Sequence, residues 1–243
     1  MARILVMTDN PLLACALRDM AHEMGLGMMH QWHWACAKGS LPMFSASGIS
    51  MEEMSLKEIP GGYWKQYDLV ISAHCKQLFP PEMVRAVRCI NIHPGLNPHN
   101  RGWYPQVFSI LNGRPVGATI HEIDEELDHG AIIAQHEVPV HAWDTSKDVY
   151  DRVQQAEVQL LRQHLAAIIA GTYSATPPAA EGNINLKKDF NALLCINADE
   201  QMTMGQAIDR LRALTHRPYR NAYFIDPHTG KKVFVSIDLQ PEA

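Results

Sequence analysis

Apolar positions in this chain come in two rhythms. Ile4–Met7 and Asp68–Ala73, the latter built around Leu69-Val70-Ile71, are short apolar-rich runs of the kind that strands buried on both faces show. Leu12, Leu13, Leu17, Met20, Ala21 and Met24 instead recur at helical spacing between Asn10-Pro11, a cap followed by a first-turn proline, and Gly25. Continuing along the chain, His30–Ala35 reads as a second strand, and an irregular polar stretch separates it from the third at Asp68–Ala73. Pro80-Pro81 opens a helix, and Cys89–His93 is a strand broken by Pro94-Gly95. Trp103–Leu111 reads as a helix stopped by Gly113, Val116–Ile123 and Ile132–Val140 as strands. Thr145 with Asp148 three residues on opens a long helix running to about Ala170 and closed by Gly171. Strands alternating with helices predict an α/β fold with a mostly parallel sheet.

Beyond Gly171 the pattern changes. Thr176–Asn183 has the Ala, Pro and Gly content of a linker, a helix follows near Met204–Leu214, and Ala222–Ile237 reads as a β-hairpin around Asp226-Pro227-His228-Thr229-Gly230. The expected organisation is a sheet domain at 1–171, a linker at 172–185 and a small region at 186–243 ending in the hairpin. The hairpin carries Tyr223, Phe224, Val233, Phe234, Val235 and Ile237, more apolar surface than two strands can leave in water, so it should pack against something.

At 243 residues, with 47% hydrophobic and 19% charged positions, the chain can bury a sizeable core. A net charge of −5 argues against a broad polyanion-binding surface, so neither nucleic acid nor an acidic membrane is an expected partner. Five cysteines without a paired spacing suggest no disulfide framework and no cysteine metal site. The N-terminal apolar run is too short for a secretory signal, and a cytoplasmic location is the expectation.

In sheets of this kind ligands bind beyond the carboxyl ends of the strands. Three such exits carry chemistry. Asn91 and His93 alternate on one strand and can present an amide beside an imidazole. Asp124-Glu125-Glu126-Leu127-Asp128-His129-Gly130 follows another strand, and its acids could orient a histidine and favour its protonated form. The third exit is His74-Cys75-Lys76-Gln77-Leu78-Phe79-Pro80.

Asn91-x-His93-Pro94, Asn100-Arg101-Gly102, Ile110-Leu111-Asn112-Gly113, Gly117-Ala118-Thr119-Ile120-His121 and Leu127-Asp128-x-Gly130, in this order, resemble the formyltransferase family that uses 10-formyltetrahydrofolate. Gly95-Leu96-Asn97-Pro98, the segment His99–Phe108, Ser72–Pro80, Lys187–Asn191 and Tyr219–Phe224 are similar to the branch that formylates amino sugars carried on nucleotides. The resemblance implies a Rossmann-like catalytic domain, a homodimer, and Asn91, His93 and Asp128 as the catalytic set. His93 would be the base, Asn91 the donor to the oxyanion of a tetrahedral intermediate, and Asp128 the group that orients His93. It also implies a folate slot formed by Gln77, Leu78 and Phe79 and by the loop with Asp124, Glu125 and Asp128. Lys76 and Lys188 are candidates for the pyrophosphate, with Trp103, Tyr104 and Gln106 around sugar and base and Asn10 a further candidate there. No metal is expected. The expected acceptor is a dTDP-linked 4-amino-4,6-dideoxyglucose destined for surface polysaccharide such as O-antigen. Rivals are a 3-amino or GDP-linked sugar, methionyl-tRNA, and a folate-binding regulatory module without turnover. From Asn183 to Ala243 eight Lys and Arg face seven Asp and Glu, which is too weakly basic for a tRNA-binding domain.

Overall fold

The computed structural model describes residues 1–242. Along the first half of the chain lie β1 (Arg3–Thr8), α1 (Pro11–Glu23), α2 (Leu26–Met29), β2 (Gln31–Cys36), β3 (Met51–Glu53), β4 (Leu69–Ala73), α3 (Pro81–Ala86), β5 (Arg88–His93), β6 (Arg101–Gly102) and α4 (Pro105–Asn112). The remainder contains β7 (Val116–Glu122), β8 (Ile132–Val138), α5 (Ser146–Ala170), β9 (Ile184–Asn185), α6 (Lys187–Leu193), α7 (Met204–Leu214) and the short strands β10 (Thr215–His216), β11 (Tyr219–Arg220), β12 (Tyr223–Ile225) and β13 (Lys232–Phe234).

Seven strands form one sheet in the order β3-β2-β1-β4-β5-β7-β8. From β3 through β5 all neighbours are parallel, and β7 runs antiparallel to β5. The reason is visible in the sequence of the strands. All five residues of β4 are buried, as a strand covered on both faces requires, and Leu69, Val70 and Ile71 each contribute about 1.5–3 kcal/mol by leaving water. α1 begins where the Asn10 side chain accepts from the Leu12 and Leu13 amides, and it buries Leu13, Ala14, Leu17, Met20 and Ala21 along one stripe. At the start of α5 the Asp148 carboxylate accepts from both the amide and the hydroxyl of Thr145.

Packing divides the chain into two units, each built from three stretches: 1–93, 118–136 and 157–181 in one, 94–117, 137–156 and 182–243 in the other. In the first unit the core gathers Leu5, Met7, Val70, Met83 and Cys89 with Leu56, Trp64 and Tyr67. These last three come from the stretch between β2 and β4, which the sequence reading left as irregular polar chain; β3 and short 3₁₀ turns also lie there. In the second unit α4 packs on α7, and the Arg212 guanidinium donates to the His141 and Asp144 carbonyls, 3.1 Å each. There too the Asn100 Oδ1 accepts from the side chains of Asn112, Asn183 and Asn185 at 2.8, 2.8 and 3.2 Å. Gly102, at φ 91, lies where a Cβ would stand 2.4 Å from the Asn185 carbonyl oxygen, so that strand pairing needs glycine.

Several element boundaries depart from the sequence reading, β8 among them ending at Val138 and not Val140. The helix expected from Trp103 starts at Pro105, because Tyr104 takes a left-handed conformation, φ 54, just before it. The terminal hairpin pairs only Tyr223–Ile225 with Lys232–Phe234, a shorter ladder than the apolar run 222–237.

Candidate active site

β5 presents Asn91 and His93 toward the end of the strand, and its antiparallel register with β7 sets Asn91 opposite His121 and His93 opposite Thr119. The loop that follows β7 returns Asp128 to the same place. That return depends on Gly130, where a Cβ would stand 1.9 Å from the Glu122 carbonyl oxygen, and on the Glu122 amide donating to the Ala131 carbonyl at 2.9 Å. Asp128 itself adopts φ 49, a left-handed conformation that aspartate tolerates better than most residues.

Four side chains therefore converge. Asn91 Nδ2 donates to Asp128 Oδ1 at 3.0 Å and lies 3.2 Å from His121 Nε2. Asp128 Oδ2 is 3.6 Å from His93 Nδ1, within ionic range but long for a hydrogen bond. The His93 and His121 rings meet edge to face at 6.1 Å. His121 Nδ1 is 2.6 Å from the Glu122 carbonyl, which can only accept, so the His121 proton sits on Nδ1 and Nε2 offers a lone pair to Asn91. His121 is thus a neutral acceptor for the amide. Its 3.7 Å separation from Asp128 is bridged by Asn91 and is not an ion pair. His93 and His121 are 4% and 1% exposed, a degree of burial in which such hydrogen bonds are strong.

Asn91, His121 and Asp128 line a cavity of about 470 Å³, within the usual size for a small-molecule site. Its wall also includes Gln77, Leu78, Phe79, Asp124 and Glu125, so the predicted folate residues share one cavity with two of the three predicted catalytic residues. Leu78, Phe79, Pro80, Ile123 and Leu127 supply apolar surface, and the carboxylates and main chain of the loop supply polar edges; a flat heteroaromatic ring with amide-like edges fits such a lining. The Gln77 side chain is turned to other work, donating to the Met54 carbonyl at 2.9 Å and accepting from the Leu56 amide at 3.0 Å. Burial pushes the Cys75 thiol up to about 12, so it stands in the wall as a neutral thiol and not a nucleophile. Asp124 accepts from His129 Nδ1 at 2.7 Å, which raises the His129 pKa above its ordinary value.

The remaining predicted residues do not figure in the lining of this cavity. Lys76 is exposed in the β4 exit loop of the first unit, its amide donating to Asp9 Oδ2 at 2.8 Å. Trp103, Tyr104, Gln106 and Lys188 belong to the second unit. There Tyr104 packs on Phe190 with ring centres 4.2 Å apart, Gln106 is buried in the first turn of α4, and Lys188 is exposed on α6. The lysine that reaches Trp103 is Lys187, whose Nζ lies 5.3 Å from the ring centre. His121, quoted from sequence only within the family motif and given no role there, is the site residue that sequence reasoning missed; the antiparallel register of β5 with β7 brings it beside Asn91.

Comparison with known proteins gives a consistent picture. The formyl transferase family model matches residues 41–165, and the N-formyltransferase dimerization C-terminal domain model matches residues 189–241. A dTDP-4-amino-4,6-dideoxyglucose formyltransferase of Mycobacterium tuberculosis is 54% identical over 178 residues, which covers 73% of this chain and 76% of the relative. Among solved structures, a sugar N-formyltransferase from a Shewanella species superposes with TM-score 0.93 at 41% identity over 100% of both chains. A 4-N formyltransferase from Francisella tularensis does so with TM-score 0.91 at 42% identity over 99% of both.

Proposed function

The chain belongs to the formyl transferase family, and on that footing we propose that it formylates the amino group of a nucleotide-linked sugar, dTDP-4-amino-4,6-dideoxyglucose, with 10-formyltetrahydrofolate as donor. The observation that carries this reading is the convergence of Asn91, His93, His121 and Asp128, three of them in the wall of one cavity of suitable size. In the reaction a bond forms between the sugar nitrogen and the formyl carbon, the bond from that carbon to the folate nitrogen breaks, and a proton moves from the first nitrogen to the second. His93 takes the proton from the attacking amine, held in orientation by Asp128. The Asn91 amide donates to the formyl oxygen as negative charge builds on it. Gln77, Leu78, Phe79, Asp124 and Glu125 hold the pterin end of the donor, and no step calls for a metal ion.

Lys76, Lys188, Trp103, Tyr104 and Gln106 stay candidates for the sugar nucleotide on their chemistry, a lysine suiting a pyrophosphate and an aromatic ring suiting sugar and base. Residues 186–243 form the dimerising region, in keeping with the family model that covers 189–241. Among the described residues no helix is long and apolar enough to cross a membrane, and we place the enzyme in the cytoplasm, supplying surface polysaccharide synthesis. The test is mass spectrometry of products after incubation with 10-formyltetrahydrofolate and a panel of dTDP- and GDP-linked 3-amino and 4-amino sugars. Selective gain of one formyl group on the dTDP-linked 4-amino sugar is the expected result; formylation of methionyl-tRNA alone, or of nothing, overturns it.

A further inference from the structure

A second cluster of polar side chains lies in the first unit at the place where the sheet changes its direction of growth. β1 and β4 are neighbours there, with β2 and β3 built to one side and β5 to the other, and the crevice beyond such a strand pair is where open sheets receive ligands. Asn10 follows β1, His74 follows β4, and Glu157 projects from α5.

Hydrogen-bonding rules alone settle how they are joined. Asn10 Oδ1 accepts from the Leu12 and Leu13 amides at 3.0 and 3.3 Å, and a backbone N–H can only donate, so the carbonyl end of the Asn10 amide is fixed on the helix. Its Nδ2 end then faces His74 Nδ1 at 2.9 Å. An amide NH2 can only donate, so Nδ1 must present a lone pair and the ring proton must sit on Nε2. Nε2 in turn donates to Glu157 Oε1 at 2.7 Å. The pair is therefore a neutral imidazole hydrogen-bonded to a carboxyl group. The Glu157 side chain is fully buried, and that of His74 is 12% exposed.

His74 holds φ 57, a left-handed conformation uncommon outside glycine though histidine is among the residues that take it more readily, and the residues after it are pinned in succession. Asp9 receives the Lys76 amide at 2.8 Å and the Ala37 amide at 2.9 Å, and Gln77 is tied to Met54 and Leu56. Cys75, Gln77, Leu78 and Phe79 form part of the wall of the cavity that Asn91 and Asp128 also line. We propose that His74 is a positioning residue for the transfer reaction: locked as the Nε2–H tautomer between Asn10 and Glu157, it fixes the turn that sets the Cys75–Phe79 wall for the formyl donor. This rests on the functional reading above for its kinetic consequence, though the lock itself does not.

Long-range proton–nitrogen correlation spectra of the full chain labelled with 15N-histidine read the lock directly. The expected pattern is a bare Nδ1 and a protonated Nε2 on His74 at neutral pH; the opposite tautomer or an imidazolium overturns the proposal. His74→Gln keeps an acceptor for Asn10 and a donor for Glu157, and its KM for 10-formyltetrahydrofolate should stay within roughly threefold of the parent. His74→Phe removes both and should raise that KM about tenfold with kcat nearly unchanged. Equal KM values for the two variants overturn the proposal. Should His74→Phe fail to fold by circular dichroism, Asn10→Asp decides, because aspartate keeps the helix cap yet turns an acceptor toward Nδ1. A doubly protonated His74 ring with weaker donor binding is then expected, and an unchanged ring overturns the lock. If the parent protein formylates no sugar nucleotide, the functional reading fails by itself, and the spectra with calorimetric binding of tetrahydrofolate still judge the lock.

Discussion

Both hydrogens of the Asn91 amide have acceptors before any substrate arrives, Asp128 at 3.0 Å and His121 at 3.2 Å. A donor to the developing formyl oxygen must give up one of them. The contact to Asp128 is the shorter and ends on a carboxylate, whereas His121 offers a neutral lone pair, so the bond to His121 is the one to be exchanged. His121 then acts as a placeholder that keeps the amide aimed until the oxygen takes its position. His121→Phe should leave the amide free to turn and lower kcat by roughly 10- to 100-fold with little change in KM, measured by steady-state kinetics. His93→Asn, which removes the base itself, should cost about 100- to 10,000-fold in kcat. A His121→Phe variant with full kcat would show that Asn91 needs no such partner.

At the scale of the element, the loop between β7 and β8 carries its own clamp, His129 on Asp124 across five residues. Because the bond raises the His129 pKa in the folded loop, its stabilising contribution is complete below about pH 6.5, the unfolded value, and fades as pH climbs through the raised one. An NMR titration should place the His129 midpoint above 6.5, and Asp124→Asn should bring it down toward that value. Much of the element order could be read from sequence because the signals were local: Asn10-Pro11 names its own helix start, and the continuous apolar run 69–73 names a strand covered on both faces. Asn91 and His93 were legible for the same reason, two positions of one strand. His121 was not, because its place beside Asn91 comes from the antiparallel register of β5 with β7, which neither strand's sequence encodes alone. Trp64 and Leu56 were likewise hidden, since the short turns that bury them have no period to recognise. Tyr104 was misread into a helix because a tyrosine gives no hint of a left-handed backbone.

For the molecule as a whole, the terminal region combines apolar and cationic surface. Tyr219, Ile225, Val233 and Phe234 are exposed, Lys232 sits over the Tyr223 ring at 4.1 Å, and Tyr223 meets Phe234 at 6.0 Å. Static light scattering should give a mass near twice the 27.3 kDa of the chain, and Phe234→Asp should shift it toward one copy. A monomeric parent protein at micromolar concentration would remove the dimer from the functional reading. The division into two interleaved units bears on something else, the way such proteins can diverge. The backbone passes from one unit to the other after His93, Gly117, His136, Ala156 and Glu181. A recombination event that joins two related genes at a single point therefore splits at least one unit between parents. A single crossover can therefore leave at most one of the two units whole from one parent, and the two cannot be exchanged against each other as a pair of intact cassettes.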